Sequence, residues 1–103
     1  MHQVTTIFKA LSDPVRLEMV QRLSHGDRFN LGSISDDLGV TRQGARKHLG
    51  VLQKAKVIQL QKRGRNTEVQ LNKKSLNLIK GFIEKLEHQW DQRLLALKSF
   101  VEE

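Results

Sequence analysis

LGSISDDLGVTRQGARKHLGVL, residues 31–52, contains two short helical patterns separated by a break. Leu31, Ile34 and Leu38 stand at i, i+3 and i+7, which predicts a helix of about two turns over 31–38, stopped by Gly39. Thr41 then supplies an N-cap, and Ala45, His48, Leu49 and Leu52 repeat at i, i+3, i+4 and i+7 as the buried stripe of a second helix. The other face of that helix carries Arg42, Gln43, Arg46, Lys47 and Gly50. Two helices joined by a short glycine-containing turn, the second cationic and glutamine-bearing on its free face, form the arrangement that places a recognition helix in a DNA major groove.

Upstream, Val4, Ile7, Phe8 and Leu11 share a helical face, and Ser12, Asp13 and Pro14 restart the chain with Asp13 as N-cap and Pro14 at the first helical position. Val15, Met19, Val20 and Leu23 then form the apolar side of a further helix, with Gly26 suited to the position just past its end. Downstream of Ala55 the period changes to two, with Ile58 and Leu60, then Val69 and Leu71, alternating with polar residues. That pattern predicts a hairpin over about 57–71, with Gly64 and Asn66 taking up positive φ in its turn. A turn needs Gly and Asn but not Arg63 and Arg65, so the hairpin reads as a wing whose tip reaches phosphates or a minor groove.

From about residue 75 to 101, Leu76, Ile79, Ile83, Leu86, Trp90, Leu94, Leu97 and Val101 step by three or four, predicting one long helix or two kinked near Gly81. Such a helix is about 40 Å long and outruns the core that one small domain builds. Self-association is therefore expected, with Val4, Ile7, Phe8, Ile83, Leu86, Trp90, Leu94 and Leu97 at the seam. Trp90 and Phe100 read as packing anchors, because the charge around them is mixed.

The 103 residues suit a single domain, and 38% hydrophobic with 28% charged residues lies in the globular range. Apolar runs are too short to span a bilayer and no signal-peptide pattern opens the chain, so a cytoplasmic protein without membrane contact is expected. The absence of cysteine excludes disulfides, thiolate catalysis and thiolate metal sites. The net charge of +7 is concentrated in one block: residues 1–37 and 75–103 each sum to −1, whereas 38–74 sum to +9. Ten cations there face one acid, Glu68, which points to a polyanionic partner, nucleic acid ahead of a membrane surface.

The stretch Ala10-Leu-Ser-Asp-Pro-Val-Arg-Leu17, the segment Thr41-Arg-Gln-Gly-Ala-Arg-Lys-His-Leu-Gly-Val-Leu52 and the basic hairpin together closely resemble the ArsR/SmtB family of winged-helix repressors, over nearly the whole chain. The Trp90-x-x-Arg93-Leu94-x-x-Leu97 ending resembles a metal-independent branch. The resemblance implies a dimer built on the first and last helices that represses by occupying operator DNA, with Arg42, Gln43, Arg46 and Lys47 on the recognition helix and 63–65 in the wing. The helix predicted over 31–38 lacks the cysteines that give many relatives their metal inducer. Glu84, His88 and Asp91 share a face of the last helix, but their spacing differs from the family's second metal site, and a solvated His–carboxylate pair is the default. Arg46 stands where many relatives carry Ser or Ala, and Lys56 replaces a common glycine, which implies a strained entry into the wing.

The sequence thus reads as mostly α with a small β-hairpin: a winged helix-turn-helix with the helix-turn-helix over about 31–54. Arg42 and Arg46 suit guanine, Gln43 suits adenine, and Lys47 lies beside them. Thr41, Lys54, Lys62, Arg63, Arg65 and Asn66 are expected on the backbone. His48, on the buried stripe, reads as a hydrogen-bonded core histidine rather than a ligand. The chain lacks the HExxH, GxSxG, Walker and GxGxxG patterns, so neither an enzyme nor a cofactor is expected. The expected partners are operator DNA and a second copy of the chain, with a regulator, commonly a repressor, as the function. A winged module for double-stranded RNA or a protein is the alternative, and RNA binding would be insensitive to Gln43 because a helix does not enter the A-form major groove.

Overall fold

The computed structural model describes residues 2–102. Helices α1 (His2–Leu11) and α2 (Pro14–Ser24) are followed by a short strand β1 (Phe29–Asn30), the helix α3 (Arg42–Lys54), the hairpin strands β2 (Ile58–Arg63) and β3 (Asn66–Leu71), and α4 (Lys73–Glu102). Asp13 caps α2 as expected, its carboxylate accepting from the N–H groups of Val15 (2.8 Å) and Arg16 (3.1 Å). The core draws Ile7 and Ala10 from α1, Met19 from α2, Ala45, Leu49 and Leu52 from α3, and Val57, Ile58 and Val69 from the wing. The two periods, 3.6 and 2, converge on one interior.

Residues 31–38 form consecutive turns rather than the predicted helix. Asn30 Oδ1 accepts from Gly32 and Ser33 N–H, Ser33 Oγ accepts from Asn30 N–H, and the backbone then runs mainly in i to i−3 steps until Asp37 turns over at φ 64°. Ser33, Ser35, Asp36 and Asp37 offer the backbone local alternatives to a helical ladder, which explains the outcome. Two of the three apolar positions still turn inward, Ile34 fully buried and Leu38 packed against the core, whereas Leu31 is exposed. Arg22 steadies the segment from α2, its Nη1 donating to the Ile34 (3.3 Å) and Asp36 (2.5 Å) carbonyls.

Strand β1, which the sequence reading did not anticipate, pairs antiparallel with β3, giving the order β1-β3-β2 with Phe29 and Leu60 both opposite Val69. The hairpin turn is tighter than expected. Arg63 pairs with Asn66, leaving Gly64 and Arg65 as the loop, and only Gly64 has positive φ (59°). That fits the II′ class, in which only the first central residue needs the left-handed region, so Asn66 lies in the strand.

Helix α3 ends in a Schellman motif: Val57 N–H donates to Leu52 C=O and Lys56 N–H to Gln53 C=O, each at 2.9 Å. Leu52 and Val57, the apolar pair of this motif, are both fully buried. Lys56 occupies the left-handed position at φ 62°, as its replacement of a glycine implied. Helix α4 continues through Gly81 without a break for 30 residues, and the molecule measures 68 Å in its longest dimension.

Candidate nucleic-acid interface

Thr41 opens α3, its hydroxyl accepting from Gly44 N–H at 2.9 Å. With Ala45, Leu49 and Leu52 turned inward, the helix leaves Arg42, Gln43, Arg46 and Lys47 exposed, at i, i+1, i+4 and i+5 on one strip. None of these cations is ion-paired among the described residues. At the wing, Lys62, Arg63, Arg65 and Asn66 are all exposed, but they differ electrostatically. Arg63 Nε lies 3.1 Å from the carboxylate of Glu68, the only acid of the basic block, whereas Lys62 and Arg65 have no ion-pair partner among the described residues. Gln59, Gln61 and Gln70 tie the two strands together below the tip, Gln70 accepting from Gln59 (3.2 Å) and donating to Gln61 (3.0 Å). Lys54 stands apart, about 18 Å along α3 from Arg42 at 1.5 Å per residue.

A cluster behind the strip fixes how α3 sits. Arg16 donates through Nε to the Ala10 carbonyl (2.6 Å) and through Nη1 to His48 Nδ1 (3.0 Å), with Asp13 3.9 Å from the same nitrogen. Arginine can only donate, so Nδ1 accepts and the His48 proton resides on Nε2. The Arg16 N–H leads the groups that hold Asp13 below the usual carboxylate range, helped by the Val15 N–H and the nearby Arg16 side chain against partial desolvation. His48 is therefore a hydrogen-bonded, half-buried residue that joins the recognition helix to the α1–α2 corner. Sequence reasoning missed Arg16 and Arg22, whose partners lie 6 to 32 residues away with no local pattern to announce them.

The expected seam residues separate into two sets. Ile7 is 2% exposed and packed into the chain's own core, so it presents nothing to a partner, which corrects its assignment. Val4 is half-buried, and Phe8 meets Phe82 edge to face at 6.0 Å. Ile83, Leu86, Trp90, Leu94 and Leu97 are exposed, and from Ile83 to Glu102 no residue of α4 is shielded by the rest of the chain. Glu84, His88 and Asp91 lie on this exposed stretch, and among the described residues no group of three or more His, Cys, Asp or Glu side chains is disposed to hold a metal.

Known proteins share this arrangement. Residues 11–61 match the family described as "Helix-turn-helix domain". The chain is 35% identical over 85 residues to the uncharacterized HTH-type transcriptional regulator YuzN of Bacillus subtilis, covering 76% of this chain and 92% of that one. It is 30% identical over 86 residues to the transcriptional repressor SdpR of the same organism, covering 80% and 94% respectively. The solved structure of an ArsR-like transcriptional regulator from Rhodococcus sp. RHA1 superposes with a TM-score of 0.82 at 30% identity, covering 96% of this chain and 92% of that one.

Proposed function

Because the chain belongs to the ArsR family of winged helix-turn-helix transcriptional regulators, DNA-binding proteins rather than enzymes, we propose that it acts in the cytoplasm as a homodimeric repressor. The recognition helix α3 enters the major groove, where Arg42 and Arg46 read guanine and Gln43 reads adenine, each good bidentate pair contributing about 1–3 kcal/mol of discrimination. Lys47 flanks them, and Thr41, Lys62, Arg65 and Asn66 hold the flanking backbone. The observation that carries this reading is the strip of exposed cations on α3, none of them ion-paired among the described residues, within a block of ten cations and one acid.

Dimerisation rests on the second half of α4. Its apolar stripe, from Ile83 through Leu97, has no covering surface within the chain, and a second copy supplies one through a two-fold seam that includes Val4 and Phe8. A two-fold protein expects a two-fold operator, with half-sites separated by about one helical turn or a multiple of it.

Fluorescence anisotropy at about 150 mM salt, with the duplex upstream of the protein's own gene and a shuffled duplex of equal length, tests the proposal. A preference of about 10³ or more for the native duplex is expected of a specific regulator. Equal, steeply salt-dependent binding to both duplexes would reduce the protein to a basic module without base readout.

A further inference from the structure

An open pocket of about 680 Å³ lies where three elements that differ in function meet: the start of α1, the end of α3 and the start of α4. Ile7, Ala55 and Leu78 give it an apolar wall, and Lys54, Lys56 and Lys74 give it three cations. No carboxylate is among its lining residues. The His2 imidazole and the amide and hydroxyl groups of α1 and α4, with Asn72 at the wing root, supply the remaining polar surface.

Two of these lysines occupy positions that local physics does not favour. Lys56 stands in the left-handed conformation where glycine is the cheap residue. Lys74 lies in the first turn of α4, which contains no acid and whose positive dipole end repels a cation. Residues that break local rules concentrate where a site needs them, and here two such residues face one cavity. At 3.6 residues per turn, Lys74 and Leu78 also lie on roughly the opposite side of α4 from Trp90 and Leu94 of the apolar stripe.

We infer that this pocket binds a small organic anion, a carboxylate or phosphate on an apolar skeleton, between Lys54, Lys56 and Lys74. The site assigns Lys54 to this ligand rather than to the operator backbone. Its walls include the last turn of the recognition helix, the wing root and the first turn of the helix that carries the apolar stripe, so occupancy touches the joints that set their relative placement.

The test is an amide NMR titration of the full chain without DNA, using phenyl phosphate and, separately, phenol. Saturable shifts confined to Thr6, Ala55, Lys56, Ser75 and Leu78, at least tenfold weaker for phenol, are expected. Binding should weaken at least tenfold again in Lys56→Gly/Lys74→Gln. Lys56→Gly suits the local backbone, and a melting curve checks that the double variant is folded. Equal binding of phenol, or shifts spread evenly over Arg42, Lys62 and Arg65, would overturn the site. A random duplex that shifts Ala55 and Lys56 while phenyl phosphate does not would likewise overturn it, assigning the lysines to DNA phosphates. Because the titration contains no operator, its outcome is independent of whether the protein reads DNA sequence.

Discussion

Glu68→Gln should make the protein bind DNA more tightly, and the structure indicates by how much. Glu68 is the sole acid between Asp37 and Glu84, its side chain is only 16% exposed, and its carboxylate holds Arg63 Nε at 3.1 Å. The amide keeps the shape of the side chain and its contact with Gln70 Nε2 at 3.4 Å, but releases Arg63, which is about half exposed at the wing. One additional phosphate contact steepens the plot of log K against log salt by about 0.9. Relative to 1 M salt, that corresponds to about fivefold tighter binding at 150 mM and about fifteenfold at 50 mM. The pair itself contributes little to folding, because an ion pair with so exposed a partner is worth about 0–1 kcal/mol. Anisotropy titrations of wild type and variant between about 50 and 300 mM salt, on the native and shuffled duplexes, read both effects. The gain should be equal on the two duplexes, since a phosphate contact carries no sequence information. An unchanged slope, or a gain confined to the native duplex, would refute the claim that Glu68 withholds Arg63 from the backbone.

Arg46→Ala should relax preference at one base position in each half-site by about 1–3 kcal/mol, whereas Arg65→Ala should weaken all duplexes alike and lower the salt slope by about 0.9; equal losses on specific and random duplexes for Arg46→Ala would remove its base-reading role. Lys56→Gly should stabilise the fold by about 0.5–1 kcal/mol in urea unfolding, because relief of a left-handed side chain outweighs the added freedom of glycine in the unfolded chain, and Lys56→Ala should give no such gain. Truncation before Trp90 should leave the core folded and weaken dimerisation, so a truncated chain that still sediments as a tight dimer would count against the α4 seam. Asp13 is held below its ordinary 3.8, so its ionised form adds stability that is complete above that value and is lost as pH falls through the lowered one; Asp13→Asn, which retains a capping oxygen, should remove that component from thermal melts between about pH 6 and pH 2.

The parts of this molecule that could be read in its sequence are those governed by period and by short-range chemistry. The stripe Ala45, Leu49 and Leu52, the Asp13–Pro14 and Thr41 caps and the alternation in the wing each lie within a few residues of their cause, and each appears in the structure. Spacing placed Ile34 and Leu38 correctly while missing the conformation between them, because both a helix and a run of i to i−3 turns bring i and i+3 to one side. The short strand β1 lacked a signal altogether: two residues have no period, and their pairing is set by Val69 and Glu68 some 40 positions away. Ile7 was misassigned for a related reason. On an amphipathic helix the same stripe serves a core or a partner, and only the three-dimensional packing separates Ile7 from Phe8.

The interface shows the same division between local and long-range causes. Charge density located the basic block, but it could not rank the arginines within it, since ranking requires knowing that Glu68 reaches Arg63 and not Arg65. Nor could it show what orients the recognition helix. That task falls to Arg16, which spans from the Ala10 carbonyl to His48, and to Arg22, which holds the turns ahead of α3. Neither arginine is in the basic block, and neither needs to approach DNA to matter. Each satisfies carbonyl groups that the irregular corners of the chain leave without a helical partner, so the cations outside the block build the frame on which those inside it are displayed.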